Sequence, residues 1–296
     1  MDDEVGPLGD DVQLVVGDDG GDLDDDVLGR VEPGHLEVHP HQHDVETRPA
    51  DTVRPMVDDV LPAKPAATVM LLRHEAGALE VFMLRRTNAA AFAGGMYVFP
   101  GGRVDPADGD GDEAYVVAAI RECFEECGVL LAADAQGGTV VDGHPVLEHR
   151  HGVHDGSVDM RMLAAEHGLA LAVDRLVWVS HWITPKGEAA RRFDTRFFVA
   201  ACPPGQRSHH DDSETVASMW VRPADALAAF ERGELQLMPP TVANLEFLSA
   251  HHTVDDAIAA ARTIGVPPCI LPKVRVVDGR FMGVAMPDDP DYDSLP

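Results

Sequence analysis

The sequence predicts an α/β fold, and three observations carry that prediction. Short apolar runs rich in β-branched and aromatic residues recur along the chain, a long proline-free helix lies among them, and further amphipathic helices follow towards the C-terminus. Apolar residues make up 45% of the 296, which is ample for a core.

Residues 1–55 fall outside that pattern. The first fifty hold fifteen Asp and Glu against two Arg, with scattered Gly and hardly any aromatic residue. Such a segment cannot bury enough apolar surface to offset its ordering entropy, and it reads as a disordered acidic leader. His35, His39, His41 and His43 alternate there as transition-metal ligands do, but nothing around them would fix their geometry.

From Ala67 the chain becomes regular. Residues 68–72 and 80–85, joined through Glu75-Ala76-Gly77, read as an antiparallel hairpin. Residues 96–99 give a short strand that feeds Phe99-Pro100-Gly101-Gly102, a turn whose glycines let the backbone come close to a ligand. Residues 112–129 then form a helix of about four turns, with Asp112 placed to cap its start and Gly128 to end it. Residues 132–174 are a less regular insert with a helix over 158–167. Residues 176–184 and 193–202 are core strands, 214–221 another strand and 223–231 a helix. Pro240 and Thr241 open an amphipathic helix with Val242, Leu245 and Leu248 on one face. Thr253-Val254-Asp255-Asp256 reads as a capping box for a helix ending near Gly265, and the tail carries one or two strands.

At about 100° per residue, Glu122, Glu125 and Glu126 share one face of the long helix, while Val116, Ile120, Cys123 and Cys127 fall largely on the other. Like charges three and four positions apart repel. Either that face is solvated, as charge runs usually are, or a divalent cation compensates it, and oxygen-only donors suit Mg²⁺ or Mn²⁺.

With the glycine turn, Arg121-Glu122-Cys123-Phe124-Glu125-Glu126-Cys127-Gly128-Val129 resembles the signature of the Nudix hydrolases. There a Gly is followed after five residues by Glu and after seven more by Arg-Glu-apolar-x-Glu-Glu-x-Gly-apolar. Glu113 stands the required seven residues before Arg121, but ten residues separate it from Gly102, and counting five from Gly102 lands on Asp108. The box is thus interrupted by an Asp-Gly-rich loop, and its first acidic position falls to Glu113 or Asp108. The resemblance implies a Nudix-type α/β/α sandwich with a mixed β-sheet over residues 65–235, and 236–296 as a C-terminal helical addition packed on the same domain.

It also implies a site. Glu122, Glu125 and Glu126 would hold Mg²⁺ or Mn²⁺, with a carbonyl near Gly102 as a further ligand, and Arg121 would pair with a neighbouring carboxylate to hold the helix. For the general base, Glu214, six residues before Trp220, resembles a later acidic position of the family, with Glu188 and Glu122 as rivals. Residues 82–102 are similar to the segment ahead of the box in the coenzyme A and acyl-CoA pyrophosphatase branch. Arg86, Gly95 and Phe99 to Gly102 fit its spacing, while its second arginine falls on Ala91. Trp182-Ile183-Thr184-Pro185, Arg192-Phe193-Asp194-Thr195 and Pro240-Thr241 resemble the longer members of that branch.

The reaction so implied splits coenzyme A or acyl-CoA into adenosine 3′,5′-bisphosphate and (acyl-)phosphopantetheine. Arg85, Arg86 and Arg103 would receive phosphates, and Gly95, Phe99 and Gly101 belong to the same substrate-binding set. Pro145, sixteen residues beyond Val129, resembles instead the mark of ADP-ribose pyrophosphatases. A non-catalytic ligand sensor of the same fold is the alternative from another class.

A formal charge of −28 argues against nucleic acid and anionic membranes as partners, so an anionic small-molecule diphosphate must meet a locally positive site. A homodimer is left open. Cys123, Cys127, Cys202 and Cys269 lack the paired spacing of a zinc site and read as reduced. With no apolar signal core and no run of about eighteen apolar residues, a cytoplasmic protein is expected. The final Asp293-Ser294-Leu295-Pro296 is not a peroxisomal address.

Overall fold

The computed structural model describes residues 62–87, 93–187, 191–210, 215–278 and 280–296. The acidic leader with its four histidines, Ala91, Glu188 and Glu214 lie outside the described residues.

Two long strands open the fold, β1 (Lys64–Glu75) and β2 (Ala78–Arg86). They pair antiparallel in the register Leu72↔Val81, and the turn between them places Ala76 and Gly77 at positive φ. The short β3 (Tyr97–Val98) and β4 (Gly101–Arg103) come next, and the two glycines expected in a turn lie in β4, paired with β1. Helix α1 (Gly111–Cys127) follows, closed by Gly128 in the left-handed region at φ 72°, whose N–H reaches the Phe124 carbonyl. The helix starts earlier than expected. Asp110 stands at its N-cap position without a side-chain bond, and Asp112 sits inside the first turn.

The insert contains β5 (Ala132–Asp134), α2 (Arg150–His154), α3 (Met160–Glu166) and β6 (Leu169–Leu171), with β5 and β6 paired as a separate small sheet. Then come β7 (Val177–Ile183), β8 (Phe193–Ala201), β9 (Thr215–Val221) and three helices: α4 (Pro223–Glu231), α5 (Pro239–Ser249) and α6 (Val254–Ile264). Thr253 caps α6 by accepting the Asp256 N–H at 3.1 Å.

Beyond Gly265 the chain has no α-helix among the described residues. Pro267 and Pro268 break the helical run, and the β-branched stretch after them gives β10 (Cys269–Ile270), β11 (Lys273–Val277) and β12 (Arg280–Ala285). The C-terminal addition is therefore two helices followed by strands.

The main sheet runs β10-β7-β8-β1-β2-β3, with β4 also on β1 and β9 also on β2. It is mixed, because β1 with β8 and β7 with β10 are parallel while the remaining pairs are antiparallel. Strand alternation divides the core in two. Ala67, Val69 and Leu71 of β1 pack with Ile120 and Phe124 of α1, whereas Met70 and Leu72 pack with Leu245 and Leu248 of α5 and Ala257 and Ala261 of α6. Helices thus cover both faces of one sheet, the α/β/α sandwich. Burial of each large apolar side chain in these layers contributes roughly 1.5–3 kcal/mol, which seats α1 firmly on the sheet.

All four cysteines are free; Cys123 and Cys127 are buried one turn apart on α1 with their sulfurs at 3.4 Å. Among the described residues no helix is long and apolar enough to cross a membrane.

Candidate active site

With its apolar side fixed to the sheet, α1 turns its glutamates into a cleft of about 1020 Å³. The side chains of Glu122, Glu125 and Glu126 are only 13%, 8% and 6% exposed. This face is therefore not solvated surface, since solvated charge would be open to water.

Arg121 organises the cluster. Its Nε and Nη2 donate to the two oxygens of Asp108 at 2.9 and 3.0 Å, its Nη1 donates to Glu122 and Glu125 at 2.9 and 3.0 Å, and Nη2 also reaches the Arg103 carbonyl at 2.7 Å. One planar guanidinium therefore ties the loop after β4 to the helix. Burial works against its charge, but the Asp108 bonds and the surrounding carboxylates outweigh that and raise its pKa.

Asp108 and Glu113, the two candidates for the interrupted box, differ in burial and partner. Asp108 is 1% exposed and pairs with Arg121, while Glu113 is exposed and pairs with Arg161 at 3.0 Å. The count of five from Gly102 gives the acid that pairs with Arg121, and the extra residues lie between Asp108 and Arg121, in Gly109, Asp110 and the first turn of α1.

The glycine pair is shaped by contact. Gly101 donates its N–H to Glu126 Oε2 at 2.9 Å. A Cβ there would lie 2.5 Å from Thr68 Oγ1, and one on Gly102 would collide with the Glu122 carboxylate. Arg86 lines the cleft with Nη1 3.9 Å from Glu126 Oε1. Its neighbour Arg85 is exposed and does not line it. Phe99 is buried beside the cleft, Arg103 stands exposed on its rim, and Gly95 bonds back to the Arg86 and Thr87 carbonyls at positive φ without lining it. Lys64, Arg161 and Arg191, which carried no motif, add positive charge to the same walls. Cationic side chains thus stand in the cleft beside the carboxylates, where they can meet an anion.

Burial pushes the Glu122 carboxyl up to about 7 against the pull of Arg121, with repulsion from Glu125 and Asp108 adding to the rise. Glu125 is raised as well, chiefly by burial. The clustered oxygens suit a hard divalent cation, and the Gly102 cradle keeps room beside Glu122. As the side chains stand, no three His, Cys, Asp or Glu among the described residues are gathered to hold a metal ion, because Arg121 draws Glu122 and Glu125 while Gly101 holds Glu126.

A pH dependence follows. Between about 4.5, the ordinary value, and about 7 the folded protein keeps a proton on Glu122 that the unfolded chain releases. That contribution to stability is fully present below 4.5 and is lost as pH rises through 7. In urea titrations with chelator present, the wild type should lose stability relative to Glu122→Gln across this window. Parallel curves would refute it.

Known proteins were compared with this chain. The NUDT19 Nudix domain model matches residues 109–248. An acyl-coenzyme A diphosphatase NUDT19 from Gallus gallus is 25% identical over 284 residues, covering 72% of this chain and 74% of that protein. Its Homo sapiens counterpart is 31% identical over 160 residues, 49% and 41% of the two chains. Putative nudix hydrolase 7 of Caenorhabditis elegans is 28% identical over 170 residues, 57% and 56%. The chain thus spans three quarters of the first relative and about half of the others. Among solved structures, a NUDIX hydrolase from Alicyclobacillus acidocaldarius is 28% identical with a TM-score of 0.59, covering 67% of this chain and 96% of that one.

Proposed function

The chain belongs to the Nudix hydrolase family and is a Nudix pyrophosphatase, and from that premise we propose that it hydrolyses the diphosphate of coenzyme A or an acyl-CoA with the help of Mg²⁺ or Mn²⁺. The observation that carries this reading is the buried trio Glu122, Glu125 and Glu126, the first two held by Arg121 and the third by the Gly101 N–H, in a cleft that Arg86 and Arg103 also line.

Glu122, Glu125 and Glu126, with a carbonyl near Gly102, would hold the cation. When bound, it supplies polarisation of a phosphoryl oxygen and acidifies a water. The protein's own groups do the rest. Arg121 neutralises part of the charge on the two carboxylates it touches, and the donors must turn from Arg121 and Gly101 towards the cation on binding. Gly101 anchors Glu126, leaving Arg86 and Arg103 to draw the diphosphate oxygens towards the helix. Phe193, Phe197 and Met238, further lining residues, offer apolar surface for the pantetheine portion. Water adds to one phosphorus, the bridging P–O bond breaks, and the products are adenosine 3′,5′-bisphosphate and an (acyl-)phosphopantetheine.

Support for the coenzyme comes from relatives named acyl-coenzyme A diphosphatase. Pro145 gives the ADP-ribose alternative no help, since it is exposed and does not line the cleft. The test is Mg²⁺-dependent turnover of coenzyme A, acyl-CoA and ADP-ribose with products identified by mass. Coenzyme A compounds should be cleaved faster. Equal or faster cleavage of ADP-ribose overturns the assignment.

A further inference from the structure

Helix α2 is five residues long and embraces a single residue of α1. At one end Arg150 Nε donates to the Glu125 carbonyl at 2.9 Å; at the other His154 Nδ1 faces Glu125 Oε2 at 3.7 Å. That separation is too long for a hydrogen bond, and among the described residues Nδ1 is buried with no hydrogen-bond partner. The other oxygen, Oε1, is taken by Arg121. His154 lines the cleft that holds the carboxylates.

We infer that His154 Nδ1 and Glu125 Oε2 bind one divalent cation between them, so that an imidazole from outside the Nudix box joins the carboxylate donors. This rests on the reading that those carboxylates hold a cation. An octahedral cation with bonds of about 2.1 Å wants neighbouring donors about 3.0 Å apart, so the gap of 3.7 Å closes onto it with a shift of about 0.7 Å. A water accepting and donating bonds of about 2.8 Å at a tetrahedral angle wants its partners roughly 4.6 Å apart, so it fits worse. Glu125 need not leave Arg121, because the two ligands use different oxygens. The pair supplies two donors, and Glu122 or Glu126 must swing in as the third. A nitrogen donor shifts preference from Mg²⁺ towards Mn²⁺ and later transition metals.

The experiment uses the full chain with ¹⁵N-labelled histidine and Mn²⁺ as the probe. Pulsed electron paramagnetic resonance should show Mn²⁺ coupled to an imidazole nitrogen in the wild type. The coupling should vanish in His154→Gln, with Mn²⁺ affinity about tenfold weaker and Mg²⁺ affinity changed less. Mn²⁺ bound without nitrogen coupling, or coupling that survives in His154→Gln, overturns the inference while leaving the carboxylate site intact. Absence of Mn²⁺ binding overturns both. Should His154→Gln not fold, the wild-type spectrum alone decides.

Discussion

Glu126→Gln should lower kcat on the order of 10²–10³-fold while the protein remains folded. The amide is nearly isosteric, and its carbonyl oxygen can keep the Gly101 N–H that Glu126 accepts at 2.9 Å. What disappears is the negative charge, at a position 6% exposed and 3.9 Å from Arg86. In water one charge among many would matter little, but in a shielded cleft it sets how strongly a cation and its phosphate are held. Substrate affinity measured by calorimetry should change far less than turnover, because Arg86 and Arg103 on the lining remain to hold the phosphates. The same variant separates an enzyme from a ligand sensor. A sensor would keep its response to ligand and have no turnover to lose. Full activity in Glu126→Gln would remove this carboxylate from the mechanism.

Much of this architecture was legible in the residues, and the exceptions have physical causes. Helix α1 announced itself because local propensity, a glycine stop and one-sided apolar spacing agree. Its first turn did not, since the start is set by the loop that Arg121 pins through Asp108, a contact across thirteen positions. Asp108 and Glu113 were equal by counting, each satisfying one half of the spacing. Only burial separates them, and burial is a property of the folded loop. Arg85 and Arg86 are another case: alternation along β2 places Phe82 and Leu84 on the α1 face and Val81 and Met83 on the other, so Arg86 alone keeps step with the site. The strands of the tail were legible beyond Pro267 and Pro268, although the description of 236–296 as a helical addition fits only α5 and α6. His154 and Arg161 gave no signal at all. They belong to α2 and α3, helices of five and seven residues, too short to show periodicity, and they reach the cleft only because the insert folds back over α1.

Replacing Arg121 by Met should be the most destabilising single change in the site, on the order of 3–5 kcal/mol. The side chain is 10% exposed and Asp108 2% exposed, so removing the guanidinium leaves a buried carboxylate with, among the described residues, the Asp105 N–H at 2.8 Å to stabilise it. Glu122 and Glu125 lose their common donor at the same time, and their mutual repulsion is no longer balanced. For a domain of this size, each kcal/mol corresponds to about 2–4 °C in Tm, so melting should fall by roughly 10 °C. Arg121→Lys keeps the charge but cannot reach two carboxylate oxygens of Asp108, two glutamates and a carbonyl together, so it should fall between. Combining Arg121→Met with Asp108→Asn removes the stranded charge and should recover part of the loss, a coupling that a double-mutant cycle measures. Glu113→Gln, which disturbs only an exposed pair with Arg161, should stay within about 0.5 kcal/mol of wild type. If Glu113→Gln melted as early as Arg121→Met, the assignment of Asp108 as the acid of the interrupted box would be wrong, and the loop between them would have to carry the weight instead.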